Sequence, residues 1–195
     1  MKLKAVSLFS GAGGMDVGFE KAGIQVVFAN EIMVEAANTY KANHPNSFMV
    51  NDDIYNVIDS LDQYQGTDVV FGGPPCQGFS VAGKMNPDDN RSKLIFTFLD
   101  VVEKVKPKVF VMENVKALGN LEKWKSVRTK YLNRVNELGY ACLPFILNAT
   151  DFGVSQKRER VFFIGIHNNS DLFFEDHMNE LLDKQKHKAI SIKEL

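Results

Sequence analysis

Cysteine is scarce in this sequence of 195 residues. Its two cysteines, Cys76 and Cys142, lie far apart in the chain and cannot form the disulfide framework that stabilises many small secreted proteins. The four histidines show no metal-ligand spacing and have no cysteine partners, so we predict no metal site. The sequence therefore indicates a protein of a reducing compartment, by default the cytoplasm.

Long apolar runs and an excess of charge of one sign are also missing. The longest apolar runs have only a few residues, whereas a membrane-spanning helix needs about 20, and the N-terminus has no signal-peptide pattern. The chain has 23 basic and 24 acidic residues, so it lacks the basic surplus of a stand-alone nucleic-acid binder. Any contact with nucleic acid must therefore be local. The length predicts one domain with an ordinary hydrophobic core.

Short apolar segments recur along the chain and are separated by segments of helical length. We predict strands at residues 5–9, 25–30, 48–50, 68–71, 108–112 and 141–147, and helices at residues 93–105 and 124–138. This alternation is typical of an α/β fold with a parallel sheet between helices. After residue 167 the chain becomes polar and charged, with one short predicted helix at 176–186, so residues 1–167 form the predicted domain and residues 168–195 a polar connector.

A glycine-rich turn follows the first predicted strand. The stretch LFSGAGGMDVGFEKAG, residues 8–23, has the layout that holds a nucleotide-like cofactor at a helix N-terminus. Gly11 and Gly13 begin the dinucleotide-binding spacing G-x-G-x-x-G, but Asp16 stands where the third glycine is needed, close to where a pyrophosphate would lie. A cofactor without phosphates fits better, because the helix N-terminus can then receive a carboxylate such as that of a methionine moiety.

Two acidic residues follow the next two predicted strands. Glu31 stands where a carboxylate can accept hydrogen bonds from both ribose hydroxyls, and Asp53 stands where it could accept one from an adenine amino group. Each residue alone is better explained as a helix cap or a first-turn acid. Together with the glycine loop, the two residues point to S-adenosylmethionine.

The stretch GGPPCQGFS, residues 72–80, follows the predicted strand 68–71 with a rigid loop. Residues 78–84 approach the phosphate-loop pattern G-x-x-x-x-G-K-[ST], but Met85 cannot supply its hydroxyl, so we discard that interpretation. A lone cysteine is most often a buried small hydrophobe. Open sheets bind ligands at the carboxyl ends of their strands, however, and a fixed thiol beside a methyl-donor pocket suggests that Cys76 is a nucleophile.

Four motifs occur together in one order and spacing: LFSGAGG at residues 8–14, GGPPCQGFS at 72–80, ENV at 113–115 and QKRER at 156–160. They resemble the motifs of the C5-cytosine DNA methyltransferases over roughly the first 166 residues. The resemblance implies a Rossmann-like S-adenosylmethionine-dependent methyltransferase fold, with a mostly parallel sheet, helices on both faces and an antiparallel strand near the C-terminal end. It implies methylation at C5 of a cytosine flipped out of double-stranded DNA.

The resemblance also implies roles for individual catalytic residues. Cys76 would attack C6 of the cytosine, Glu113 would contact N3 and the exocyclic amine, and Arg158 would orient the base and stabilise the adduct. Addition of the thiolate at C6, with a proton given to N3, makes C5 nucleophilic, and loss of the C5 proton after methyl transfer expels the thiolate. Glu113 then needs a raised pKa, and Cys76 needs a pKa lowered by positive charge, for which Arg158 and Arg160 are candidates.

The QKRER motif has a regular alternation. If it forms a strand, Gln156, Arg158 and Arg160 share one face, while Lys157 and Glu159 point the other way. An exposed charged strand edge is the alternative interpretation, and it suits only Lys157 and Glu159.

Two further sets of residues follow from the resemblance. The cofactor would contact residues in the glycine loop, after the second and third strands and at the start of the helix 93–105, namely Phe9, Gly11, Gly13, Glu31, Ile32, Asp53, Ile54 and Leu94. The DNA would contact residues in and beside a mobile catalytic loop and in the QKRER motif, namely Gln77, Ser80, Lys84, Arg91 and Gln156.

Full-length members of this family continue into a target-recognition domain, and the resemblance stops about where that domain would begin. We therefore expect the catalytic portion of a DNA (cytosine-5-)-methyltransferase, from a bacterial restriction-modification or host-marking system, associated with the nucleoid when bound to DNA. A second polypeptide could supply recognition, or the chain could be a truncated piece of a longer protein or a residual core. A silent cofactor-binding or partner-binding module and a tRNA cytosine-C5 methyltransferase core remain the alternative functions.

Overall fold

The computed structural model describes residues 2–75, 93–168 and 175–187. They contain one seven-stranded sheet with the strand order β3-β2-β1-β4-β5-β7-β6. The strands are β1 Lys4–Leu8, β2 Gln25–Asn30, β3 Phe48–Val50, β4 Val69–Gly72, β5 Val109–Val115, β6 Tyr140–Asn148 and β7 Glu159–His167. Strands β1 to β5 pair in parallel, and β7 pairs antiparallel with both β5 and β6.

Seven α-helices accompany the sheet within the described ranges. They are α1 Gly14–Lys21, α2 Val34–Asn43, α3 Ile54–Val57, α4 Leu94–Val105, α5 Lys116–Asn120, α6 Lys125–Glu137 and α7 Glu175–Lys184. Short 3-10 helices lie at Ile58–Tyr64, Glu122–Trp124 and Ala149–Asp151. None of the helices in the described part of the chain is long and apolar enough to cross a membrane.

The sheet is buried between two helical layers. On one face, Phe98 of α4 and Tyr131 of α6 pack with Phe110 of β5 in the largest apolar cluster. On the other face, Phe19 of α1 stacks on Phe71 of β4 with ring centroids 3.9 Å apart. Continuous apolar runs form the parallel strands because both faces of those strands are covered.

The sequence predicted this architecture closely. The predicted strands at 25–30 and 48–50 have the bounds of β2 and β3, and the predicted mostly parallel sheet with an antiparallel strand near the C-terminal end is confirmed. Strand β7 was not predicted as a separate strand. The QKRER motif does not form one strand, because β7 begins at Glu159 and Gln156 and Arg158 precede it.

The site lies where the direction of the strand order changes. Strand β1 has β2 on one side and β4 on the other, so the connections after β1 and β4 leave the sheet toward opposite sides. Open sheets bind ligands in the crevice at such a point, outside the carboxyl ends of the strands. The glycine loop follows β1 and the proline-containing loop follows β4, so both open at this crevice.

Gly72 allows β4 to lie close to β1 at this crevice. A Cβ there would lie 2.2 Å from the Leu8 carbonyl oxygen, a backbone atom with little freedom to move. We expect Gly72→Ala to lower the free energy of unfolding by about 3 kcal/mol, measured by urea denaturation. Gly18→Ala, in open space on α1, is the control and should be neutral or stabilising by up to about 1 kcal/mol. Equal stability of the two variants would contradict the packing argument.

Candidate active site

A cavity of about 370 Å³ opens at the carboxyl ends of the parallel strands. Its walls come from the ends of β1 and β2, from α3, from the loop after β4 and from the start of α4, through Phe9, Asn30, Ile32, Asp53, Ile54, Tyr55, Pro75, Lys93 and Leu94. Five of these residues belong to the predicted cofactor set, namely Phe9, Ile32, Asp53, Ile54 and Leu94. Asn30, Tyr55, Pro75 and Lys93 were not predicted, although Asn30, Tyr55 and Lys93 each stand one position from a predicted contact.

The glycine loop bends sharply beside this cavity. Phe9 has φ of 52°, a left-handed conformation that is uncommon for a bulky residue, and Gly11 and Gly13 also have positive φ. The Gly13 N–H donates to the Ser10 carbonyl at 3.0 Å, which closes the turn, and Gly13 is the N-cap of α1. Such strain is typical of functional sites, where the surrounding structure holds an otherwise unfavourable conformation.

Glu31 binds the glycine loop rather than lining the cavity. Its two carboxylate oxygens accept hydrogen bonds from the Gly11 and Met33 amides, each at 2.8 Å. The residue is buried. Each carboxylate oxygen has more than one acceptor site, so these bonds leave capacity for a further donor. Glu31 therefore joins the loop after β1 to the start of α2.

Asp53 caps a helix, which is one of the two roles that the sequence allowed for it. Its carboxylate accepts a hydrogen bond from the Tyr55 amide at 3.1 Å and caps α3. The side-chain amide of Asn30 donates to the carbonyls of Val50 and Asp52 at 3.3 and 2.9 Å. The segment before Asp53 is thereby held against the end of β2, and Asp53 both caps a helix and lines the cavity.

Glu113 lies near the end of β5 in an ion pair. Arg160 Nε lies 3.0 Å from Glu113 Oε1, and Arg158 Nη2 lies 3.8 Å from the same oxygen. Only 20% of the Glu113 side chain is exposed. Burial raises the pKa of Glu113, although the positive charges of Arg160 and Arg158 oppose this shift. The result is a carboxyl group whose proton is held more firmly than that of an exposed glutamate.

The loop after β4 is anchored beside Glu113. A Cβ on Gly73 would lie 3.2 Å from Glu113 Oε2, so a glycine there permits this close approach. The buried Asn114 side chain donates to the Pro74 carbonyl at 3.1 Å. Pro75, one residue further on, lines the cofactor cavity. The ENV motif therefore supplies one residue to the ion pair and one that holds the proline loop.

A second cavity, of about 530 Å³, is lined by Glu113. Much of its wall is apolar and comes from α1, from β6, from β7 and from the loop between β6 and β7. The polar side chains in the wall are those of Glu113, Arg158 and Arg160, which meet in the ion pair. The lining residues are Gly14, Met15, Glu113, Leu147, Ala149, Phe152, Arg158, Arg160 and Phe162. An apolar cavity with a few convergent polar groups is typical of a ligand site.

Arg158 reaches Glu113 from a loop. Its amide donates to Asn148 Oδ1 at 3.2 Å, and its carbonyl accepts from the Ala149 amide at 2.9 Å, so the residue is fixed to the end of β6. Arg160 reaches the same carboxylate from β7. Gln156 is exposed and lines a neighbouring groove, which Arg158 and Arg160 also line. The structure thus brings the two arginines to Glu113, whereas Gln156 lies beside the arginines and does not line the cavity that contains Glu113.

Several predicted residues lie outside the described part of the chain. They are the proposed nucleophile Cys76 and the four predicted DNA contacts Gln77, Ser80, Lys84 and Arg91. The other cysteine, Cys142, is packed against the main core, and burial raises its pKa to about 12. A thiol with such a pKa is a poor nucleophile at neutral pH. Within residues 2–75, 93–168 and 175–187, no group of three or more His, Cys, Asp or Glu residues is arranged to hold a metal ion.

The fold is that of the S-adenosylmethionine-dependent methyltransferases. A prophage-encoded E. coli protein, described as a candidate DNA modification methyltransferase, superposes with a TM-score of 0.77 at 35% identity, over 90% of this chain and 49% of that one. A mutant of Spodoptera frugiperda DNMT2 superposes with a TM-score of 0.70 at 26% identity, over 89% of this chain and 52% of that one.

The chain belongs to the C-5 cytosine-specific DNA methylase family, whose model matches residues 3–195. It is 42% identical to the type II methyltransferase M.AquIA of Picosynechococcus sp., over 85% of this chain and 72% of the relative. It is 40% identical to M1.HphI of Haemophilus parahaemolyticus, over 89% of this chain and 48% of the relative. The chain therefore spans about three quarters of the first relative and about half of the second. The family match also continues beyond the 166 residues that contain the motifs.

Proposed function

We propose that this chain is the catalytic portion of a DNA (cytosine-5-)-methyltransferase of the restriction-modification type. The observation that carries the proposal is the position of one loop. Gly73 lies against the partly buried Glu113, the Pro74 carbonyl accepts a hydrogen bond from Asn114, and Pro75 lines the cofactor cavity. The next residue in the sequence is Cys76, so the loop leads to the proposed nucleophile from a point between an acid and a cofactor site.

The cavity residues fit S-adenosyl-L-methionine. Phe9, Ile32 and Leu94 supply apolar walls for an adenine ring, and Asp53 supplies an acceptor for its amino group. Among the described residues of the lining, Lys93 is the one basic residue, so these residues offer no cluster of cations for a pyrophosphate. Glu31, at the end of β2, would accept from the ribose hydroxyls. When bound, the cofactor supplies an electrophilic methyl group on a sulfonium.

The protein groups would prepare the cytosine for methylation. The Cys76 thiolate would add to C6, and Glu113 would give a proton to N3, so that electron density moves to C5. Glu113 can hold that proton because it is buried, while Arg160 and Arg158 orient its carboxyl group. Flipping the base out of the duplex costs a few kcal/mol of stacking and pairing, which contacts with the protein must offset.

The chain would need a complementing polypeptide for sequence recognition. It has 23 basic and 24 acidic residues and therefore no general basic surplus for holding DNA. We therefore expect this chain alone to bind S-adenosylmethionine weakly and to transfer methyl groups to DNA only with a recognition chain. Calorimetry that finds no heat of binding at millimolar cofactor would overturn the cofactor assignment. Methylation of tRNA instead of DNA by the complemented protein would overturn the assigned substrate.

Glu31→Gln tests the cofactor site. A glutamine cannot accept through both side-chain atoms, so one of the Gly11 and Met33 amides would face an N–H group, and one ribose contact would be lost. We expect the Kd for S-adenosylmethionine to rise about tenfold or more, measured by calorimetry, because one such bond is worth about 1.5 kcal/mol or more.

Glu35→Gln is the matched control for this substitution. Glu35 lies four residues further on, in the exposed first turn of α2, and does not line the cofactor cavity. Its replacement should leave the Kd unchanged within twofold. Equal affinities of the Glu31 and Glu35 variants would contradict the role of Glu31.

A further inference from the structure

A polar cluster, buried except for Glu20, lies behind the glycine loop and away from the cofactor cavity. The Tyr40 hydroxyl donates to Asp16 Oδ1 at 2.9 Å, and both residues are fully buried. His44 Nδ1 lies 3.1 Å from Glu20 Oε2, and the His44 ring stacks on Tyr40 with centroids 4.4 Å apart. None of these four residues lines the cofactor cavity.

The cluster connects α1 and α2 by two parallel contacts. Asp16 and Glu20 are four residues apart on α1, and Tyr40 and His44 are four residues apart at the end of α2. Side chains at this spacing share one helix face. Each contact therefore joins the two helices directly, one near the start of α1 and one near its end.

The cluster also contacts the loop backbone at Gly13. A Cβ on Gly13 would lie 2.2 Å from His44 Nε2 and 3.0 Å from Tyr40 Cδ2, so both rings pack directly against the Gly13 Cα. His44 Nε2 is buried and has no hydrogen-bond partner among the described residues. The ring is therefore placed there by packing and by its bond to Glu20, not by a bond to the loop.

A purely apolar interface between α1 and α2 would avoid the free-energy cost of burying polar groups. Burying a carboxyl group is unfavourable, and burial raises the pKa of Asp16 although the Ser7 and Tyr40 hydroxyls oppose the shift. Directional bonds at this position define the distance and rotation between α1 and α2, which apolar contacts specify less closely. The rotation of α1 in turn determines where Gly13, its N-cap, presents the loop.

We propose that Tyr40 and His44 are positioning residues that hold the glycine loop in its cofactor-binding conformation. Glu31 holds the loop from the cofactor side through the Gly11 amide, and the two rings support it from behind at Gly13. This inference rests on the proposed function, because it concerns the affinity for S-adenosylmethionine.

Tyr40→Phe tests the inference with a change of one oxygen atom. We expect the Kd for S-adenosylmethionine to rise about fivefold or more, because Asp16 loses its tyrosine donor and the turn at Gly13 loosens. Tyr140→Phe is the matched control: Tyr140 is also buried and donates one hydrogen bond, to the Pro107 carbonyl at 2.7 Å, but it lies on the edge strand β6. Both variants should lose similar thermal stability, and only Tyr40→Phe should lose affinity.

Amide hydrogen exchange supplies a readout that needs no cofactor. In the free protein, Tyr40→Phe and His44→Asn should each speed exchange in residues 10–14 by about fivefold or more, whereas Tyr140→Phe should not. Unchanged exchange in that segment in both variants, or an unchanged Kd in Tyr40→Phe, would overturn the inference. Wild-type protein that binds no cofactor would instead overturn the proposed function, and hydrogen exchange alone would then decide whether the two rings hold the loop.

Discussion

Replacing Cys76 by alanine is expected to abolish methyl transfer and the covalent adduct with DNA. The proposed reaction begins with a thiolate adding to C6 of cytosine, and alanine has no nucleophile to replace it. The complemented protein, mixed with S-adenosylmethionine and DNA that contains 5-fluorocytosine, should accumulate an adduct that denaturing electrophoresis and mass spectrometry detect. Fluorine at C5 cannot leave as a proton does, so the wild-type adduct persists.

Cys142→Ala provides the control for this experiment. Cys142 is packed against the core, and its raised pKa of about 12 keeps it protonated at neutral pH. The Cys142 variant should therefore form the adduct as the wild type does, with a modest loss of stability. An adduct that persists in Cys76→Ala would show that another group is the nucleophile.

Replacing Glu113 by glutamine should lower the rate of methyl transfer by about 10²- to 10⁴-fold, the usual contribution of a general acid. Glutamine keeps the shape of the side chain but cannot give a proton to N3. The affinity for S-adenosylmethionine should change little, because Glu113 lines the second cavity and not the cofactor cavity. Glu103→Gln is the control, since Glu103 also pairs with an arginine, Arg134, but lies on α4 away from both cavities.

The raised pKa of Glu113 also predicts how stability depends on pH. Between the ordinary glutamate pKa of 4.5 and the raised value, the folded protein binds more protons at this site than the unfolded protein. Its contribution to the free energy of unfolding therefore falls as the pH rises through that window and is constant above it. Glu113→Gln lacks this contribution.

Urea denaturation between pH 4 and pH 8 measures this difference. The free energy of unfolding of the wild type, minus that of Glu113→Gln, should decrease as the pH rises and then level off. A difference that increases with pH would mean that Arg160 and Arg158 outweigh burial and hold the pKa of Glu113 below its ordinary value. In that case Glu113 would not be suited to hold a proton for the base.

The QKRER motif shows how far a local pattern can be interpreted. Its alternation predicted three residues on one face of a strand, but β7 begins only at Glu159. Arg158 still reaches Glu113 because Asn148, at the end of β6, binds the Arg158 amide and fixes the loop. The sequence contains no local signal for the bond between Asn148 and Arg158, since these residues are ten positions apart and only Asn148 belongs to a strand.

Strand β7 also shows the limit of a local pattern, because it was not predicted as a separate strand. Residues 161–166 are as apolar as the predicted strands, but the charged QKRER motif at 156–160 overlaps the start of β7 and hides the strand in the sequence. The structure inserts β7 between β5 and β6. This insertion pairs Val115 with Arg160 and so places Arg160 beside the end of β5, where Glu113 lies.

The sequence by itself determined the kind of fold, the family and most of the residues around the cofactor cavity. The alternation of apolar and helical segments indicated the kind of fold, and four short motifs carried the resemblance to the family, which in turn implied most of the residues around the cavity. Only the tertiary structure decided that Glu113 lies against Gly73 and Arg160, and that Tyr40 and His44 lie behind Gly13. These contacts join residues about 25 to 50 positions apart. Strand register and the burial of side chains determine such contacts, and no local pattern in the sequence encodes either of the two.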